Sequence, residues 1–160
     1  MSLRNVDVRI IHFFRKISIP LARFGLFVVF FWFGFLKVLG LSPAGPLVEA
    51  LFNNTIATLT ASLSFATFYA GFGILECAIG ILFIIRGFER VVIPLLFLHM
   101  ATTALPLFLL TPITWSGFMI PTLEGQYIIK NLLIVAAAIT IAAHLDPWSN
   151  TKRTDKPRNA

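Results

Sequence analysis

The stretch that decides the fold runs from Phe65 to Ile85 and reads Phe-Ala-Thr-Phe-Tyr-Ala-Gly-Phe-Gly-Ile-Leu-Glu-Cys-Ala-Ile-Gly-Ile-Leu-Phe-Ile-Ile. It is long enough to cross a bilayer as one helix, for which about 20 apolar residues suffice. Glu76 stands near its centre. A charged, unpaired side chain at that depth costs about 2.5 to 3.5 kcal/mol. The stretch therefore predicts a spanning helix whose carboxyl group is neutral, paired or in contact with water.

The composition of the whole chain agrees with a membrane protein of one domain. Of its 160 residues, 58% are hydrophobic and 12% are charged, whereas a soluble domain carries about 25% charged residues. The formal net charge is +6. The basic residues lie at the two termini and in one short connector rather than in a single patch, which excludes a nucleic-acid partner and is typical of topogenic charge.

Four apolar runs approach or reach spanning length, and they predict an all-α fold, a four-helix transmembrane bundle. Pro94 falls in the first turn of the third run, where a missing N–H is tolerated, whereas Pro106 should bend or end that helix. The runs, called spans 1 to 4, are about Leu21 to Leu39, Phe65 to Ile85, Val91 to Leu110 and Tyr127 to His144.

The connectors between the spans differ in character. Pro46 followed by the helix formers of residues 47–52 predicts a short interfacial helix between spans 1 and 2. The tight connector at residues 86–90 predicts that spans 2 and 3 form an antiparallel hairpin. Residues 111–125 contain prolines and glycines that prevent a continuous helix, and Trp115 is expected to anchor this loop at the level of the headgroups.

Positive charge predicts the orientation in the membrane. Lys and Arg occur before span 1, between spans 2 and 3, and after span 4, but not in the two long connectors. Both termini are therefore expected in the cytoplasm, with the long connectors on the outside. The chain divides into a cytoplasmic amphipathic segment (1–20), a four-helix transmembrane domain (21–145) and a basic tail (146–160). Residues 5–18 fit either a basic amphipathic surface helix or a plain topogenic flank.

Two lysines lie within apolar runs and are candidate partners of Glu76. In the predicted orientation, Lys37 ends span 1 and Lys130 begins span 4, so both lie near the outer surface. Each can extend outward to the headgroups, or it can turn inward and compensate the carboxyl. Glu76 cannot reach the surface from mid-membrane, which favours an interior position. It can alternatively be a protonated, purely structural acid.

The entrance to span 4 carries more polar groups than a helix cap needs. Glu124, Tyr127, Lys130 and Asn131 enter the membrane together. We interpret them as the outer wall of a ligand-binding pocket, to which Lys37 and Glu76 add the polar core. The aromatic walls are expected from Trp32, Tyr69, Tyr127 and Trp115.

His99 and Glu76 are the candidates for proton transfer. His99 lies centrally in span 3, where it can be a structural hydrogen-bonding group or a proton acceptor near Glu76. Cys77 is the single cysteine, so an internal disulfide is excluded and an inert packing role is expected. The three histidines are spread across the chain without ligand spacing, and no metal site is predicted.

Several of these motifs together resemble the DoxX-like family of small four-helix membrane proteins, over about residues 21–144. They are the end of span 1, Phe-Trp-Phe-Gly-Phe-Leu-Lys37, the Ser-Pro turn after it, Gly-Ile-Leu-Glu76-Cys-Ala-Ile-Gly80, and Glu-Gly-Gln-Tyr-Ile-Ile-Lys130-Asn. The resemblance implies a bacterial inner-membrane location and a four-helix bundle. It implies function only loosely, through relatives linked to thiosulfate or quinol oxidation and to redox-stress defence.

Three functions remain open from the sequence. The first is a redox-associated subunit that binds a quinone or another lipophilic ligand, with no covalent cofactor, in the outer half of the bundle. The second is a small proton-coupled transporter or ion pathway in which Glu76 alternates between a protonated and a lysine-paired state. The third is a non-catalytic partner in a membrane complex or homo-oligomer.

Overall fold

The computed structural model describes residues 3–60 and 62–147, and within them the chain is predominantly helical. Four helices are long and apolar enough to cross a membrane. The elements in chain order are α1 (Leu3–Val38), α2 (Gly45–Asn54), α3 (Ile56–Leu59), α4 (Phe65–Ile84), α5 (Glu89–Ala104), α6 (Pro106–Leu109), α7 (Thr111–Thr114), β1 (Trp115–Gly117), β2 (Ile120–Pro121) and α8 (Leu123–Ala142). The predicted multi-span helical architecture is confirmed.

Helix α1 is longer than span 1, because it continues without interruption through the predicted amphipathic segment and past Pro20. Its 36 residues correspond to about 54 Å at 1.5 Å per residue, which exceeds the roughly 30 Å hydrocarbon core of a bilayer. The predicted boundary at residue 20 is therefore not a break in the helix. Most of the predicted basic tail, from residue 148 onward, lies outside the described residues.

Of the two prolines of span 3, Pro106 acts as the sequence predicts and Pro94 does not. Helix α5 ends at Ala104 and Pro106 starts the short helix α6. The prediction that Pro94 falls in the first turn is wrong, because α5 already begins at Glu89 and Pro94 lies inside it. The helix predicted at residues 47–52 is present as α2, with Pro46 in its first turn.

The connector before α8 contains a feature that the sequence does not predict. Strands β1 and β2 pair antiparallel, and Met119 between them has a φ of 59°. Trp115 donates its Nε1–H to the carbonyl oxygen of Leu107 at 3.0 Å, which ties this hairpin to α6. Gly125 lies against the same segment, since a Cβ on it would overlap the carbonyl oxygen of Thr114.

Helices α1 and α4 form the closest packing in the bundle, and glycines make it possible. A Cβ on Gly34 would lie 2.6 Å from the carbonyl oxygen of Gly73, and one on Gly73 would lie 2.7 Å from that of Gly34. Further along, a Cβ on Gly80 would lie 2.8 Å from the backbone nitrogen of Phe31. These contacts set α1 and α4 antiparallel with their backbones touching, as small residues allow in membrane helices.

The bundle has two ends that differ in their connectors. The long-loop end carries residues 39–64 and 110–122, and the hairpin end carries residues 85–88 and 143–147. Between them lies an apolar core contributed by the four long helices, which includes Leu26, Phe30, Ile79, Phe83, Val92, Ile93, Leu96, Met100, Ala138 and Ile141.

A cluster of charged and hydrogen-bonded groups lies at the hairpin end of the bundle. Arg23 of α1 pairs with Glu89, the first residue of α5. The same guanidinium donates to the carbonyl oxygens of Phe83 at 2.8 Å and Ile85 at 3.1 Å, at the end of α4. Glu89 in turn accepts from the Gly87 N–H at 2.7 Å. We call this set the Arg23 clamp, and it satisfies carbonyl groups that a helix end leaves without partners.

Candidate functional site

Glu76 lies inside the bundle with two partners, one from each neighbouring helix. Lys37 of α1 donates from Nζ to Oε2 of Glu76 at 2.5 Å, and Nε2 of His99 in α5 lies 3.1 Å from Oε1. All three residues are buried, at 7%, 6% and 3% exposure for Lys37, Glu76 and His99. The carboxyl group is thus paired, and we call these three residues the buried triad.

The direction of each helix explains why the triad converges. In an α-helix the Cα–Cβ bond tilts toward the N-terminus. Lys37 ends α1, whose N-terminus lies at the hairpin end, so its side chain points into the bundle. Glu76 belongs to the antiparallel α4, so its side chain points back toward Lys37.

The surroundings of His99 hold its ring in one orientation. Nε2 faces the Glu76 carboxyl group, and a hydrogen bond from Nε2 to a carboxylate oxygen has the ring as donor. Nδ1 is buried and has no hydrogen-bond partner within the described residues. The ring of Phe72 stacks on the imidazole at a centroid distance of 4.7 Å, and that of Phe30 meets it edge-on at 5.6 Å.

A cleft of about 510 Å³ opens at the long-loop end, beside the triad. It lies between the end of α1, the start of α2 and the start of α4, and Lys37 lines it. Its other lining residues with side-chain polar groups are Ser42, Glu49 and Tyr69. Since Lys37 contacts both the cleft and Glu76, it connects the buried triad to this opening.

Tyr69 presents a buried hydrogen-bonding group at this cleft. Its hydroxyl makes no close hydrogen bond within the part of the chain that the structure describes, and its side-chain neighbour there is Ser42. Its ring stacks on Phe65 at a centroid distance of 5.1 Å. The start of α2 lies above it, since a Cβ on Gly45 would be 3.7 Å from the hydroxyl oxygen. A buried hydroxyl normally has a close partner, so Tyr69 and Ser42 together can bind a polar group that enters the cleft.

The residues at the start of α8 are not brought to Glu76. Lys130, Glu124 and Tyr127 are exposed, and Nζ of Lys130 lies 5.2 Å from the centroid of the Tyr127 ring. Of the two lysines predicted as partners of Glu76, the structure has Lys37 in that role, together with His99, while Lys130 takes the exposed alternative. The physical reason is the helix face, because Ile128 is buried on α8 and Lys130 lies about 200° round the helix from it.

The other predicted pocket residues also lie elsewhere. Trp32 is 64% exposed on the outer surface of α1. Asn131 lines a separate cavity of about 230 Å³ between α5 and α8, together with Thr103 and Met100. Trp115 holds the β-hairpin to α6. Of the predicted pocket residues, the cleft thus combines Lys37 and Tyr69, with Glu76 behind Lys37.

Sequence reasoning missed Ser42 and Glu49 as cleft residues. Both belong to the segment after α1, whose pattern predicts only a turn followed by an interfacial helix. One signal that points to the cleft is Glu49, a carboxylate within the otherwise apolar residues 46–52 of α2. The packing of α2 over Tyr69 is tertiary information, and no local pattern encodes it.

Cys77 and the histidines do not form a reactive centre with one another. The Cys77 thiol, half-buried, lies 3.6 Å from the carbonyl oxygen of Phe31. Within residues 3–60 and 62–147, no group of three or more His, Cys, Asp or Glu side chains is arranged to hold a metal ion. The chemistry available at the site is hydrogen bonding and proton transfer by the triad and Tyr69.

Similarity to known proteins does not assign a role to this site. No protein-family model, curated protein or solved structure matches the chain. The function is therefore inferred from the geometry of the triad and the cleft.

Proposed function

We propose that this chain is a DoxX-like multi-pass protein of the bacterial inner membrane that binds a quinone, or another lipophilic ligand with a carbonyl-bearing head, in the cleft beside Lys37. In this proposal it serves as a subunit of a redox-active membrane system. The single observation that carries the proposal is that one cleft of the described chain is lined by both the buried Tyr69 hydroxyl, which makes no close hydrogen bond, and the Lys37 ammonium.

The donors in the cleft suit a carbonyl-bearing head. The Tyr69 hydroxyl and the Lys37 ammonium can each donate to a carbonyl oxygen. Ser42 and Glu49 also line the cleft, and its other residues are apolar or small, including Val38, Pro46 and Phe65. An apolar pocket with few convergent polar groups is what small-molecule sites share.

The triad supplies a short proton-transfer relay at the base of this site. Glu76 accepts from Lys37 at 2.5 Å and faces His99 Nε2 at 3.1 Å. A ligand that gains or loses protons with its electrons would exchange them through Lys37 and Glu76, while His99 donates from Nε2 to the Glu76 carboxyl group and stabilises its charged form. This role makes Glu76 and His99 proton-handling residues rather than direct ligand contacts.

The distribution of polar and apolar side chains along the bundle favours a ligand site over an ion pathway that crosses the whole bundle. Below the triad the described core is apolar, with Ile79, Phe83, Val92 and Leu96 each at 0% exposure. The next buried charges belong to the Arg23 clamp at the hairpin end. A proton or ion entering at the cleft would meet this apolar layer.

Tyrosine-to-phenylalanine changes test the proposal, because the chain has only two tyrosines and they lie in different environments. Tyr69→Phe should weaken binding of a short-tailed ubiquinone analogue by about 2- to 12-fold, the equivalent of one hydrogen bond of about 0.5 to 1.5 kcal/mol. Tyr127→Phe, at an exposed site, should leave the affinity unchanged. The measurement is equilibrium dialysis of the full chain in mild detergent, with mass spectrometry of co-purified lipids.

The proposal is abandoned if no quinone co-purifies and the analogue does not bind saturably. Equal weakening by both tyrosine changes would also contradict it. Proton-driven flux in liposomes containing only this chain would instead support a transporter. A stoichiometric companion captured in mild detergent, without any ligand, would support an assembly partner.

The orientation is part of the same proposal, with both termini in the cytoplasm, α2 at the outer interface and the cleft facing outward. It rests on the absence of Lys and Arg from the two long connectors. Alkaline phosphatase fused after the last residue should be inactive in bacteria, because the enzyme needs an oxidising compartment. A green fluorescent protein fused there should fluoresce. The reverse result would invert the orientation.

A further inference from the structure

The N-terminal part of α1 projects beyond the packed core of the bundle. Residues 3–16 are exposed throughout, and Ile19 and Ala22 are the first side chains along the helix that pack against the core. We call residues 3–18 the N-terminal extension. At 1.5 Å per residue it adds about 24 Å to the spanning part of α1.

The extension has one apolar and one basic face. At 100° per residue, six of its eight apolar side chains group on one side and the basic ones on the other, where Val8 and Ile11 also fall. Val6, Phe13 and Phe14 are 38%, 57% and 58% exposed, although such side chains are normally covered. The apolar face is Leu3, Val6, Ile10, Phe13, Phe14 and Ile17, and the basic face is Arg4, Arg9, His12, Arg15 and Lys16.

The extension is positively charged, and near Ser18 and Pro20, where it joins the rest of α1, the helix is easier to bend. Arg4, Arg9, Arg15 and Lys16 against Asp7 give four positive charges and one negative, a net charge of +3. Pro20 has no N–H and removes one backbone hydrogen bond from α1. Ser18 donates from its hydroxyl to the Arg15 carbonyl oxygen at 3.2 Å, a contact that favours bending of a helix.

We propose that the N-terminal extension binds the surface of a bilayer that contains anionic phospholipids, with residues 18–20 as the hinge. The apolar face would enter the boundary between headgroups and acyl chains, while the basic face contacts lipid phosphates. The charge favours this occupant over a second copy of the chain, because two extensions of net charge +3 repel each other. This surface is independent of the ligand cleft at the long-loop end.

The test uses the full chain in nanodiscs, one copy per disc, with Cys77→Ser as background. An environment-sensitive fluorophore is placed on the apolar face through Ile10→Cys or on the basic face through His12→Cys. With phosphatidylglycerol present, the label at position 10 should be quenched by lipid-attached nitroxides and the label at position 12 by aqueous quenchers. Each of Arg9→Gln, Arg15→Gln and Lys16→Gln should lower the surface-bound ratio about fivefold, the equivalent of roughly 1 kcal/mol per charge.

A further variant tests the hinge, and two outcomes would overturn the proposal. Pro20→Ala should reduce lipid quenching at position 10, because it restores the backbone hydrogen bond at the hinge. Equal aqueous quenching at positions 10 and 12 in all lipids would show an upright extension and contradict surface binding. Protection of position 10 that occurs only with several copies per disc would assign the apolar face to a second copy and contradict it as well.

Discussion

Replacing Lys37 by methionine should destabilise the folded protein by about 3 to 5 kcal/mol, the cost of leaving one member of a buried ion pair without its partner. The pair is direct, with Nζ of Lys37 at 2.5 Å from Oε2 of Glu76. The double variant Lys37→Met/Glu76→Met should recover most of this loss, because it removes the buried charge along with its partner. The free energy of unfolding in mixed micelles measures both effects.

Lys130→Met is the matched control for this experiment. Lys130 is also a lysine within an apolar run, but it is exposed and lies beside Tyr127. Its replacement should change the free energy of unfolding by no more than about 0.5 kcal/mol, as is usual for surface sites. A loss for Lys130→Met equal to that for Lys37→Met would contradict the assignment of Lys37 as the partner of Glu76. The assignment would also be contradicted if the losses of Lys37→Met and Glu76→Met added up exactly in the double variant.

Alanine at Gly34, Gly73 or Gly80 should weaken the contact between α1 and α4 and cost about 1 to 3 kcal/mol each, as overpacking does. The added Cβ would meet backbone atoms at 2.6, 2.7 and 2.8 Å respectively. Backbone cannot yield as a flexible side chain can, so the helices must separate. Gly73→Ala should in addition weaken ligand binding, because its Cβ would lie 2.9 Å from the Cβ of Lys37.

The chain provides its own controls for the glycine series. Gly25 on α1 and Gly71 on α4 have nothing within 4 Å of the position that a Cβ would occupy. Gly25→Ala and Gly71→Ala should leave stability unchanged or raise it by up to about 1 kcal/mol, because alanine favours the helix. The free energy of unfolding, measured in the same way, compares the alanine variants at these two positions with those at the crowded glycines. If the tolerant and the crowded positions respond alike, the close approach of α1 and α4 is not a determinant of stability.

Much of the fold could be predicted from the sequence, because apolar length is a property of each segment alone. The four spans, the break at Pro106 and the helix after Pro46 follow from composition and from proline chemistry. The continuation of α1 through Pro20 does not follow from these signals, since proline is a weak guide to where a long helix ends. The β-hairpin at residues 115–121 is too short to leave a periodic signal.

The candidate site was predictable in part. The inward position of Glu76 follows from the cost of a carboxyl group at mid-membrane. The sequence predicts similar depths for Lys37 and Lys130, so depth alone does not distinguish them. The helix face does, because Lys37 is buried on α1, whereas Lys130 lies on the side of α8 opposite the buried Ile128. Ser42 and Glu49 depend on how α2 folds back, which only tertiary packing specifies.

The Arg23 clamp has a consequence for how the chain is assembled. Helix α1 is synthesised before α4 and α5 and carries Arg23 and Lys37, whose carboxylate partners Glu89 and Glu76 lie on α5 and α4. A cation held at the centre of a bilayer without its partner costs about 2.5 to 3.5 kcal/mol, and less toward the ends of a helix. The first helix therefore gains its full stability in lipid only when the following helical hairpin arrives. Insertion of the first three spans is in this way thermodynamically coupled.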